Sequence, residues 1–234
     1  MRSISQRTAR TAYVRAPRRA CPHRWPRRSG AAARSANLIG AIIAGGASSR
    51  FGGRPKGLHT VAGRRIIDRV ADALRMLTPE LIVVSNAADA ASWLPGVPAI
   101  PDTRPERGSL VGLHTALTHA AGDMLVVAWD MPFVSADLLR LIHDHRRAGT
   151  CAVVPEGPAG PEPLCALYTP SALPPVTAAI DAGNLRFTDM LASLPSYERI
   201  PLGAVLALGE PARLFFNVNT PDDLAEAERM AAHS

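Results

Sequence analysis

Lys56 is the sole lysine in a chain that carries 26 basic side chains. It closes the stretch IAGGASSRFGGRPKG, residues 43–57, which also holds five glycines and Arg50. Glycine has no Cβ, so a turn built from it lets backbone N–H groups approach an anion closely. An ammonium on a flexible stem adds a compact charge that can follow a phosphate whose charge migrates during reaction, where a guanidinium would impose a planar fork. The loop therefore reads as a polyphosphate cradle, with Gly45 and Gly46 in its amide lining and Arg50 and Lys56 as its cations. Neither familiar phosphate loop accounts for it. Lys56 stands between Pro55 and Gly57 rather than in a GK[ST] triplet, and no GxGxxG run is present.

A second charge of opposite sign follows the apolar run MLVVAW. Asp130 comes directly after it, and a bare carboxylate beside a buried strand costs several kcal/mol unless it is solvated or paired with a cation. Mg²⁺ meets that need, because it takes carboxylate, water and phosphate oxygens and usually only one or two protein ligands. Asn86 and Asp102 also follow the ends of apolar runs. Each of these residues alone has a plainer reading: Asp130 and Asp102 as turn residues, the glycine pairs as turn punctuation. Other chemistries find less support. There is no HExxH and no GxSxG motif. His143 and His145 flank Asp144 on a polar helix face, and Cys165 has no histidine partner in sequence and reads as a buried thiol. Cys21, Cys151 and Cys165 are odd in number and never spaced CxxC, which speaks against a disulfide framework or a zinc site and fits a reducing cytoplasm.

The elements that must hold these residues alternate. LIGAIIA from Leu38 is a continuous apolar run of the kind a strand buried on both faces shows. After the glycine loop, Ile66, Ile67, Val70, Leu74 and Leu77 form one helical stripe, and ELIVVSN is a second buried strand. PAIPDTRPERG gives a short extended piece and a Pro/Gly loop, SLVGLHTALTHAAG a helix, and MLVVAWDMP a third strand ending at Asp130. SADLLRLIHDHRRAG is a helix capped by Ser135. CAVVP, PLCALY and RLFF are further strand candidates, and NTPDDLAEAERMAAH is a helix capped by Thr220 with Pro221 at its first position. Strands alternating with helices predict a three-layer α/β/α fold around a mostly parallel sheet. Ligands of such sheets sit beyond the carboxyl ends of the strands, where the glycine loop, Asn86, Asp102 and Asp130 would converge.

Composition places the charge elsewhere. The net charge of +6 arises in residues 1–36, which hold ten arginines and no acid, leaving 16 basic against 20 acidic side chains in residues 37–234. The globular part gives no electrostatic reason to bind nucleic acid. Residues 1–36 read as a basic disordered extension, with no apolar run for a membrane span or a secretory signal, although an organelle transit peptide shares their composition. The catalytic domain is expected over residues 37–234.

Five stretches, IAGGASSRFGGRPKGL, DTRPERGSLVGL, VVAWDMPF, EPLCALY and FNVNTPDDL, together resemble the molybdenum cofactor guanylyltransferase family over about residues 38–232. The resemblance implies a nucleotide-diphospho-sugar transferase fold and Mg²⁺-dependent transfer of GMP from GTP to molybdopterin, with release of pyrophosphate. It implies backbone contacts to the nucleotide at Ile43, Ala44 and Gly45, phosphate contact at Lys56, nucleotide contact at Asn86 and Asp102, and both metal and nucleotide at Asp130. Asn217 and Asn219 correspond to the pterin side, and molybdenum enzymes or their chaperones are implied as partners. The family pattern usually has methionine at Phe51, aspartate at Pro55, leucine at His59, proline at Ser109 and cysteine at Trp129. These departures spare Lys56 and Asp130 and bear on the choice of base, so a cytidylyltransferase, or a nucleotide-binding chaperone without catalysis, stands beside the guanylyltransferase reading.

Overall fold

In the computed structural model, β1 is Ile39–Ile43, and every one of its residues is buried. Alternate side chains of that run feed two separate cores: Ile42 and Ala44 on one face, Ile39, Ala41 and Ile43 on the other. That division is what an apolar run without polar alternation produces when helices cover both faces of a sheet. The structure describes residues 37–45, 55–119 and 121–232.

After β1 the chain forms a two-stranded ribbon, β2 (Thr60–Val61) and β3 (Arg64–Arg65), then helix α1 (Ile66–Arg75) and strand β4 (Leu81–Val84). Strand β5 (Ala99–Ile100), helix α2 (Ser109–His119) and strand β6 (Met124–Ala128) follow. Helix α3 (Ala136–Asp144) leads to strands β7 (Ala152–Gly157), β8 (Gly160–Pro161) and β9 (Cys165–Tyr168). The chain closes with α4 (Leu173–Asp181), α5 (Phe187–Ser193), β10 (Tyr197–Ile200), α6 (Leu202–Leu206), α7 (Pro211–Leu214) and α8 (Pro221–Ala232).

The main sheet runs β10-β7-β9-β6-β1-β4-β5, with β8 paired to β7. All its long pairings are parallel except those of β9, which lies antiparallel to β6 and β7. The expected mostly parallel sheet is therefore present as a mixed one. The chain leaves β1 toward β4 and β5 and returns through α2 to β6 on the other side of β1. The crevice where such an order reverses is the usual ligand site of an open α/β sheet, and the ends of β1 and β6 flank it.

Packing confirms the helical stripe of α1, with Ile66, Ile67, Val70 and Leu74 fully buried, while Leu77 lies just past the helix end. Ser135 caps α3 by accepting from the Leu138 N–H at 3.1 Å. β6 stops at Ala128, two residues short of the expected end, so Trp129 and Asp130 lie in the turn that leaves the sheet.

One strand expectation is overturned. RLFF, residues 213–216, begins inside the helical turn α7. Pro211 opens that turn, and the Glu210 carbonyl accepts from the N–H groups of Arg213 and Leu214, both at 3.0 Å. The aromatic pair that suggested a strand packs instead of pairing: Phe215 is buried in one core, and Phe216 lies 6.4 Å from Phe133 between ring centroids. The edge strand is YERI at residues 197–200, whose charged centre gave no apolar signal.

Candidate active site

Ala44, the residue after β1, donates its N–H to the Val84 carbonyl at 2.9 Å, so the chain enters the glycine loop still attached to the sheet. Trp129, the residue after β6, donates to the Ile43 carbonyl at 3.2 Å. The two strand ends are thereby tied side by side. Residues 46–54 lie outside the described residues, and with them Gly46 and Arg50.

The chain resumes at Pro55 and makes a single 3-10 turn, Lys56–Leu58. Gly57 sits flat against Trp129: a Cβ there would lie 2.5 Å from Cε3 of the indole and 3.0 Å from the Trp129 carbonyl oxygen. Only glycine permits that approach, and the approach carries Lys56 over the following residue, Asp130. The Lys56 ammonium pairs with Oδ2 of Asp130 and donates to Oδ1 of Asn219 at 2.9 Å. Asp130 is 5% exposed, so the ammonium supplies the counter-charge a buried carboxylate requires. Trp129 is backed by Trp93, stacked at 5.1 Å and 20°.

The third segment is fixed from both sides. Val218 donates its N–H to the Asp130 carbonyl at 2.9 Å. Thr220 caps α8 by accepting from the Asp223 N–H at 3.1 Å, while the Asp223 carboxylate accepts from the N–H groups of Thr220 and Asn219 at 2.8 and 2.9 Å. This reciprocal cap holds Asn219 rigidly under Lys56. Asn217 is not drawn to the ion pair; its amide donates to the Phe215 carbonyl at 2.9 Å.

A cleft of about 730 Å³ opens beside this cluster, with Ile43, Ala44, Gly45, Asn86, Asp102 and Ser109 among its walls. Pro55 and Trp129 also line it, and Lys56 and Asp130 each directly follow one of these wall residues along the chain. Asn86 and Asp102 hold one another reciprocally: the Asn86 amide donates to Oδ2 of Asp102 at 2.7 Å, and the Asp102 N–H donates to Oδ1 of Asn86 at 2.8 Å. The loop after Asp102 is anchored to α2, where the Thr103 N–H donates to Thr115 Oγ1 at 3.0 Å and the Thr103 hydroxyl lies 3.3 Å from Nδ1 of His114. Burial, helped by the nearby Arg104, holds the His114 imidazole below its ordinary pKa, so it is neutral at pH 7. Arg104 pairs with Glu106 and Asp181, bracing the cleft's outer wall.

Asp130 has one carboxylate oxygen engaged by Lys56, and no hydrogen bond reaches the other among the described residues. Among those residues there is no group of three or more His, Cys, Asp or Glu able to form a protein cage for a metal. A single carboxylate directly after a wall residue of this cleft fits Mg²⁺, which takes most of its ligands from substrate and water. Cys165 is completely buried and its thiol pKa is pushed up by that burial, as a core thiol's would be. Sequence reasoning did not find Gly57, Trp93 or Arg104. Nothing in a single glycine after a lysine, or in a tryptophan 36 residues from its stacking partner, signals such contacts along the chain.

A family model described as the MobA-like NTP transferase domain matches residues 40–196. The chain is 40% identical over 191 residues to the probable molybdenum cofactor guanylyltransferase of Deinococcus radiodurans, covering 81% of this chain and 93% of that protein. It is 31% identical over 193 residues to the molybdenum cofactor guanylyltransferase of Desulfosudis oleivorans, covering 82% and 94%. Among solved structures, the molybdopterin-guanine dinucleotide biosynthesis protein A of Archaeoglobus fulgidus is similar with a TM-score of 0.72 at 30% identity, over 84% of this chain and 100% of that one.

Proposed function

The chain belongs to the MobA-like NTP transferase family and is a nucleotidyltransferase; from that premise we propose that it transfers GMP from GTP to the phosphate of molybdopterin, releasing pyrophosphate. The observation that carries the proposal is the meeting of Lys56, Asp130 and Asn219 directly after the cleft's wall residues Pro55 and Trp129, beside the ends of β1 and β6. The relatives' names support the choice of substrates.

The reaction breaks the bond between the α-phosphorus and the bridging oxygen to the β-phosphate, and forms one from the α-phosphorus to an acceptor phosphate oxygen. No side-chain nucleophile is required, so alignment and charge neutralisation are what the protein contributes. In this reading the base and ribose occupy the cleft against Asn86, Asp102 and Ser109, and the backbone of Ile43, Ala44 and Gly45 faces the phosphates. Lys56 leaves its pairing with Asp130 for the β- and γ-phosphate oxygens, where it stabilises the charge that builds on the departing pyrophosphate. Arg50 assists from the same loop. Asp130, relieved of Lys56, would hold Mg²⁺, which when bound would supply positive charge to the phosphate oxygens. Asn219 keeps Lys56 aimed, and the pterin approaches from the far side of Asp130. No helix among the described residues is long and apolar enough to cross a membrane. In this reading the reaction takes place in the cytoplasm, upstream of molybdenum enzymes.

The test is pyrophosphate release with Mg²⁺, molybdopterin and each of the four NTPs in turn. GTP is expected to be the productive donor; turnover with CTP alone would reassign the base. Lys56→Ala and Asp130→Asn are each expected to lose about 3 kcal/mol or more of transition-state stabilisation, a fall of a hundredfold or more in kcat/KM. Undiminished release in either variant removes that residue from the mechanism.

A further inference from the structure

Glu162 lies in the turn between β8 and β9. Its N–H donates to the Pro155 carbonyl at 2.9 Å and its carbonyl accepts from the Cys165 N–H at 3.0 Å. Two residues on, the Leu164 carbonyl accepts from the N–H of Ala128, the last residue of β6, at 2.8 Å. Glu162 is thus fixed at the carboxyl end of the sheet on the β9 side of β6, while β1 and β4, whose ends line the cleft, lie on the other side. β7 makes room for it, since a Cβ on Gly157 would collide with Oε1 of Glu162.

The carboxylate is unusual among the acids of this half of the sheet. Glu156 is paired with Arg199 at 2.7 Å and Asp123 with Arg146 at 2.7 Å. Among the described residues nothing donates to the Glu162 side chain, which is half-buried, and that burial pushes its pKa up to about 7. A half-buried carboxylate that no protein group pairs is only partly solvated and remains open to a donor that a ligand brings. Position then limits the ligand: the cleft is lined from the β1 and β4 side of β6 and Glu162 lies on the β9 side, the side that the proposed function leaves to the acceptor.

We infer that Glu162 is a specificity residue for the acceptor, its carboxylate receiving the ring N3–H and the exocyclic 2-amino group of a pterin. This rests on the proposed function, in which the acceptor is a pterin. The 2-amino-4-oxo edge presents two adjacent donors, which match the two oxygens of one carboxylate. A 2,4-dioxo edge, as in lumazine, puts an acceptor in place of the amine and sets two oxygens against each other. Glutamine at this position keeps one acceptor and gains a donor, so it suits the dioxo edge.

The probes are 6-hydroxymethylpterin and lumazine, with binding followed by their own fluorescence on the full chain with GTP and Mg²⁺. The wild type is expected to prefer the pterin by about tenfold or more, the scale of a charge-assisted pair. Glu162→Gln and Glu162→Ala are expected to abolish that preference, with Glu162→Gln shifted toward lumazine and Glu162→Asp retaining part of the wild-type preference. Both would raise the KM for molybdopterin about tenfold and leave the Kd for GTP unchanged, a split that a merely structural role would not give. Folded Glu162→Gln and Glu162→Ala variants that keep the pterin preference overturn the inference alone. A wild type that binds GTP but neither probe overturns it together with the pterin-acceptor reading.

Discussion

Lys56 and Asp130 neutralise one another where water reaches neither side chain well, at 16% and 7% exposure. A buried pair of this kind is valued by its function more than by its stability, because removing one partner strands the other while removing both relieves the strain. Lys56→Met is therefore expected to lose about 2 kcal/mol or more in urea unfolding, and adding Asp130→Asn in the same chain to recover most of it without restoring turnover. Simple additivity of the two single losses would mean that the groups do not interact in solution. Both residues were legible in the sequence, the lysine by its uniqueness in a glycine-rich loop and the aspartate by its place after an apolar run. Asn219 was reached only through family resemblance. It lies 163 positions from Lys56, and what places it there is a helix cap, whose NTPDD signature announces the helix and not the neighbour.

At the scale of elements, the 3-10 turn that carries Lys56 depends on Trp129 as its platform. Gly57→Ala forces a methyl into the indole and the carbonyl behind it, and overpacking of this kind costs about 1–3 kcal/mol. The displacement falls on Lys56, so kcat is expected to drop while the affinity of the cleft for nucleoside is retained. Trp129→Cys, which shrinks the platform, should recover part of the activity in the Gly57→Ala chain although it impairs the parent. A double-mutant cycle in pyrophosphate release measures the coupling, and strictly multiplicative effects would show that the contact does not position Lys56. Most elements were readable because periodicity is local: β1, β4 and β6 as continuous apolar runs, α1 and α3 as stripes with caps. RLFF read as a strand and is not one, and YERI gave no signal and is one, because tertiary context overrode propensity, the aromatic pair finding a core to fill and the charged run finding an edge that tolerates it.

In the proposed reaction the whole molecule divides its labour across β6, with the proposed nucleotide cleft at the β1, β4 and β5 side of the sheet and Glu162, unpaired among the described residues, toward β7 and β9. Residues 1–36 carry the excess positive charge but none of the proposed site residues, so a chain beginning at Asn37 is expected to turn over at the full rate; a large loss would bring that segment into the reaction. Glu162 gives the fold a pH dependence of definite sign. Below about pH 4.5, the ordinary value for glutamate, the carboxyl is protonated in both folded and unfolded chains, and its burial carries no ionisation penalty. Between there and about pH 7 the unfolded chain releases the proton while the folded one keeps it, so the native state binds more protons and stability falls as pH rises. Above about pH 7 both forms are ionised and the penalty is constant. The neighbouring Cys165 thiol, itself pushed up by burial, stays neutral across this window and does not offset it. Thermal unfolding of Glu162→Gln against the wild type should therefore show a Tm difference that moves in the variant's favour between pH 4.5 and 7 and levels off above. The variant's own packing cost shifts the whole difference without changing its slope. Parallel curves across that range would mean that the carboxylate is solvated or paired in solution, and the case for a waiting hydrogen-bond partner would fall with them.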